Sequence, residues 1–160
     1  MTGSGSVRGL TLAEILLLAV SALLLVALLL PLRGRAARLE GVMACRDRLR
    51  ALHQARADFP VSPSDRGQAF WTRLAEATPP RIAREALRCP LVQDPRAPAC
   101  HYLGPSGDPA GLEPQDPLGC DDLDNHGPQG RRGGNVLLKS GEVRTDEGVL
   151  WRQALGRCSR

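Results

Sequence analysis

Apolar residues fill the start of the chain almost without interruption, then thin into a periodic stripe. From Ile15 to Leu32 the only polar side chain is Ser21. A helix needs about 20 apolar residues to cross a bilayer, and the run reaches that length when extended back to Leu10. A secretory signal has a shorter apolar core followed by a small-x-small cleavage site. Here only Gly34-Arg35-Ala36 remotely fits, and no cysteine follows the run to accept a lipid. Residues 10–32 therefore read as a retained membrane segment. Beyond it, Leu39, Val42, Cys45, Leu49, Leu52, Ala55 and Phe59 recur in steps of three and four, the signature of one helix face. Gly34 and Gly41 weaken that helix by about 1 kcal/mol each. Anchor (10–32) and stalk (33–59) are predicted to form one long helix, kinked at Pro31 where a backbone donor is missing.

The pattern changes after Phe59. "PVSPSDRGQ" (60–68) reads as a linker, and "AFWTRLAEA" (69–77) as a short helix with Phe70, Trp71 and Leu74 on one side. "PPRIAREALRCP" (79–90) reads as a second helix, opened by proline and stopped by Pro90. "NVLLKSGEVRT" (135–145) is a hairpin about a Ser140-Gly141 turn. A last helix from Val149 to Leu155 brings Trp151 against the sheet, and 91–134 is mostly loop. The 17 glycines and 13 prolines fit a loop-rich head with a modest core. The predicted fold class is α+β: a long transmembrane-plus-stalk helix packed on a small head (60–160) with a C-terminal hairpin.

Charge sharpens this division. Residues 33–56 carry Arg33, Arg35, Arg38, Arg46, Arg48, Arg50 and Arg56 against only Glu40 and Asp47. Residues 89–130 carry seven acids against Arg96. A solvated face is the ordinary reading of either block alone. No aromatic interleaves the basic stretch, which argues against nucleic acid as a partner. Glu14 is the anomaly, because a carboxylate in lipid costs roughly 2–4 kcal/mol. It either snorkels to the interface or has a partner outside the chain.

"Gly9-Leu10-Thr11-Leu12-Ala13-Glu14" resembles the cleavage and methylation signature of type IV pilins and type II secretion pseudopilins. The resemblance implies a leader, 1–9, removed by a prepilin peptidase after Gly9. Leu10 becomes the new, N-methylated terminus in place of the family's usual phenylalanine. It further implies that Glu14 is the glutamate of the fifth mature position and Pro31 the helix-kinking proline. In such a filament the helices bundle, and Glu14 meets the N-terminal ammonium of a neighbouring subunit. At about 4 Å and an effective dielectric of about 20, that attraction is roughly 4 kcal/mol. The implied setting is the bacterial inner membrane, single-pass, with the head in the periplasm or outside the cell. The implied partners are sibling pilins or pseudopilins, the peptidase, and an inner-membrane assembly platform with its ATPase. Arg33, Arg35 and Arg38 against Arg8 would by themselves predict the opposite orientation.

The head extends the resemblance. "FW", "CP", "YLGP" and "NHG…GGNVLLKSGEV" are similar to a bacterial pilin-like group with a C-terminal His…Asp-Gly signature, with His126-Gly127 matching and Ser140-Gly141 standing for Asp-Gly. The irregular head points towards a minor or specialised subunit.

Five cysteines allow several pairings. Cys89 with Cys100 would close a short loop and stabilise it by about 2–3 kcal/mol. Cys120 with Cys158 would tie the acidic loop to the C-terminus, as terminal disulfides do in many pilins. Cys45, on the stalk stripe, reads as a buried small apolar residue. Asp121, Asp122, Asp124 and Asn125 form a candidate oxygen set for Ca2+, against an ordinary capped turn. His53, His101 and His126 show no metal-ligand spacing, and no nucleophile, phosphate-loop or zinc-protease motif occurs, so an enzyme is not expected. The rival reading is a permanently anchored extracytoplasmic binding protein that never polymerises.

Overall fold

The computed structural model describes residues 11–57, 59, 62, 64–92, 96–122, 126, 132–146 and 148–158. Helix α1 spans Leu12–Ala57 and runs through Pro31. The chain divides into two compact units, Met1–Ala37 and Arg38–Arg160. In the first unit α1 is long and apolar enough to cross a membrane, and none of its apolar window is buried.

The head is a four-stranded antiparallel sheet in the order β1-β2-β3-β4. Its strands are Tyr102–Leu103, Pro117–Asp121, Gly134–Leu138 and Val143–Asp146. Side chains from the sheet enter two separate cores, by alternation along β1 and β3 and across the register shift between Pro117 and Gly119 in β2. Tyr102, Leu118, Leu137 and Val143 join Leu49 and Leu52 of α1 and Phe70, Trp71 and Leu74 of α2 (Gly67–Glu76). Leu103, Cys120, Val136 and Leu138 join Trp151 and Ala154 of α3 (Val149–Arg157). Helices thus cover both faces, which is why β2 and β3 are buried at every position.

The stalk stripe is buried at Val42, Cys45, Leu49 and Leu52, with Ala55 and Phe59 partly covered, whereas Leu39 is exposed. The hairpin forms as expected. Gly141, at φ 89°, takes the left-handed position of its turn, and its N–H donates to the Leu138 carbonyl at 2.9 Å. The expected helix over 79–90 is a single 3-10 turn, Arg84–Leu87. Its flanking amides and carbonyls are used elsewhere: Arg81 N–H donates to the Leu74 carbonyl, and the Leu87 carbonyl accepts from His101 N–H. The stretch 91–134, expected as loop, contains β1 and β2.

Candidate functional site

Three polar side chains from distant parts of the chain meet inside the head. Cys45 stands on α1 among the buried stripe residues. Cys89 follows the 3-10 turn, where its N–H donates to Nδ1 of the buried His101 at 2.9 Å. His126 is fully buried. The Cys45 Sγ lies 3.2 Å from the Cys89 Sγ. The His126 Nε2 lies 2.8 Å from the Cys89 Sγ and 3.3 Å from the Cys45 Sγ. The cluster is sealed: Cys45 and His126 are 0 % exposed and Cys89 2 %.

Its surroundings are polar for a protein interior. The Leu91 N–H points at the Cys89 Sγ at 3.4 Å. The Tyr102 hydroxyl lies against the Cys45 thiol, and it has no partner of good hydrogen-bond geometry among the described residues. Asp121 is buried, its Oδ2 accepting from the Asn135 N–H at 2.8 Å and Nδ2 at 2.9 Å, while its Oδ1 has no such partner. The two thiols are driven apart in acidity. The hydrogen bond from Cys45, with His126 beside it, pulls Cys89 down to about 4, and the same bond together with burial pushes Cys45 up. Burial raises Asp121 to about 6. Two sulfurs and an imidazole nitrogen, all within 4.8 Å of one another, can hold a soft divalent ion or share a proton.

Sequence reasoning did not bring these residues together. They are 44, 37 and 81 positions apart, so no spacing motif joins them. Cys45 is buried as expected, but it faces polar partners.

The remaining cysteines lie elsewhere. All five are thiols in this structure. Cys89 faces Cys45 and His126, while Cys100 donates to the Tyr102 carbonyl at 3.3 Å. Cys120 and Cys158 share the α3-side core, where the hydrogen bond from Cys120 to Cys158 raises the Cys120 pKa well above its ordinary value. Of the candidate Ca2+ oxygens, Asp121 is engaged with Asn135 and Asp122 is half-buried. Asp124 and Asn125 lie outside the described residues, as do Gly9 and Leu10.

Glu14 has a local partner. Its Oε2 accepts from the Thr11 N–H at 2.7 Å and from the Thr11 hydroxyl at 2.8 Å, while Thr11 Oγ1 receives the Glu14 N–H at 3.4 Å. This is a capping box, two otherwise orphaned helix-start donors satisfied reciprocally. The Thr-x-x-Glu spacing was the signal for it in the sequence. The stalk arginines bind head carbonyls: Arg46 donates to Val143 at 3.2 Å, and Arg48 donates to Arg88. Comparison with protein-family models, curated proteins and solved structures finds no match to this chain.

Proposed function

We propose that this chain is a pilin-like structural subunit of a type IV pilus-like or type II secretion pseudopilus filament, processed after Gly9 and assembled through α1. The observation that carries the reading is the contrast along α1. Ile15, Leu16, Leu17 and Leu18 are 55 %, 56 %, 71 % and 59 % exposed, and at about 100° per residue these four consecutive side chains point all round the helix. A helix docked on its own head would hide one stripe. An apolar surface on all sides is covered by lipid, or by sister helices once a filament forms. The Gly9-Leu10…Glu14 motif then supplies the leader and the assembly carboxylate. Pro31 supplies the helix irregularity.

The capping box qualifies the role of Glu14. In the isolated subunit its carboxylate is already bonded to Thr11, so pairing with a neighbour's terminal ammonium is an exchange of partners. That observation favours the second reading, an anchored head that does not polymerise. The intact mass and N-terminal sequence of the protein from native membranes test the first. A chain starting at Leu10 supports prepilin processing, and an uncleaved chain in cells with an active prepilin peptidase refutes it. Glu14→Leu separates the two readings: lost filament incorporation with normal membrane insertion supports assembly, and unchanged behaviour supports the anchor.

A further inference from the structure

We propose that Cys45, Cys89 and His126 form a structural zinc site that clamps the stalk helix to the head. The site is independent of the filament reading, because every ligand belongs to the unit Arg38–Arg160.

Geometry comes first. Zinc bound to thiolates at about 2.3 Å and to imidazole at about 2.0 Å places tetrahedral ligand atoms roughly 3.5–3.8 Å apart. The observed separations of 3.2, 3.3 and 2.8 Å form one slightly contracted face of such a tetrahedron. Movements of a few tenths of an ångström open it around an ion. One nitrogen, Nε2, serves both sulfurs, so the three groups converge on one point.

The chemistry agrees. Two thiolates and a neutral imidazole are a soft donor set that suits zinc and disfavours calcium or magnesium. Zn2+ displaces two thiol protons, and the resulting complex is neutral, as a sealed interior requires. The Leu91 N–H directed at the Cys89 sulfur supports thiolate charge from outside the ligand shell. Two buried oxygens without good partners among the described residues, the Tyr102 hydroxyl and Asp121 Oδ1, belong to side chains that interact with Cys45 and His126 respectively. An apolar core has no reason to gather these groups beside two thiols and an imidazole.

The test uses the full chain extracted from membranes in mild detergent. Metal content by mass spectrometry should give one zinc per chain. Replacement by Co2+ should produce the intense thiolate-to-cobalt absorption of a tetrahedral site. Cys45→Ser and Cys89→Ser should each abolish that absorption, while Cys100→Ser, at a buried thiol that bonds the Tyr102 carbonyl, should retain it. Zinc-edge X-ray absorption on the unaltered protein should show two sulfur neighbours, so the proposal stays testable if a variant fails to fold. Zinc without sulfur neighbours overturns it. So does a metal-free chain whose Cys45 and Cys89 peptides are joined by a disulfide under non-reducing mapping.

Discussion

Leu49→Ala is the sharpest test of how α1 is divided. Leu49 is 0 % exposed and packs in the core that holds Leu52, Trp71 and Tyr102. Truncation removes about three carbons from a dry site, a transfer loss of roughly 2–2.5 kcal/mol. The cavity left behind adds roughly 1–2 kcal/mol, since the sheet limits collapse. The sum, about 3–5 kcal/mol, is a large part of the roughly 5–15 kcal/mol that holds a domain of this size. Leu23→Ala is the matched control, because Leu23 is 71 % exposed and belongs to the other unit. Urea titration of the full chain in mild detergent, followed by the fluorescence of Trp71 and Trp151, reports the head alone, since both tryptophans are buried there. Leu23→Ala should stay within about 0.5 kcal/mol of the parent. A Leu49→Ala cost under about 1 kcal/mol, or equal losses from the two variants, would refute the assignment of the lower stripe to the head core.

Further outcomes follow from other contacts. A Cβ at Gly119 would sit 2.7 Å from the Leu103 carbonyl and 2.8 Å from Trp71, so Gly119→Ala must part β1 from β2 or move the indole. The expected loss is roughly 1–3 kcal/mol, and an unchanged urea midpoint would contradict the close approach. Trp151→Phe removes the indole bond to the Asp121 carbonyl at 2.9 Å and should cost about 1–2 kcal/mol in the same titration. Burial raises Asp121 to about 6, so the folded state of the metal-stripped head holds that proton more tightly than the unfolded chain. This contribution to stability is complete below about pH 4 and is lost as pH rises to about 6, by at most roughly 3 kcal/mol. Asp121→Asn keeps an oxygen for Asn135 and should flatten that limb of a stability-versus-pH profile, and an unchanged slope would assign it to another group.

The long helix and the hairpin were legible because their patterns are local. A 3.6-residue period marks Val42, Cys45, Leu49 and Leu52, and Ser140-Gly141 marks a turn. Strands β1 and β2 were illegible for the converse reason. With helices on both sides, Pro117–Asp121 is buried throughout and shows no alternation, while Pro117 and Gly119 are residues that discourage a strand assignment. The segment 79–90 has helix-forming composition but spends its backbone groups on tertiary partners. The Cys45–Cys89–His126 cluster depends wholly on the tertiary fold, because only packing α1 on the sheet brings residues so far apart into contact. The Thr11–Glu14 cap, by contrast, stood in four consecutive letters.

The insertion of α1 side chains into the sheet's core has a mechanical meaning. Leu49 and Leu52 share one cluster with Trp71, Tyr102 and Leu137. A tensile force applied along α1 therefore reaches the head as shear across several interlocked side chains, which must all slip together. Were the head merely tethered through a loop, the same force would peel contacts apart in succession. Resistance to pulling is thus distributed over the whole buried stripe, and its weak point under load is any position where that stripe is shortened.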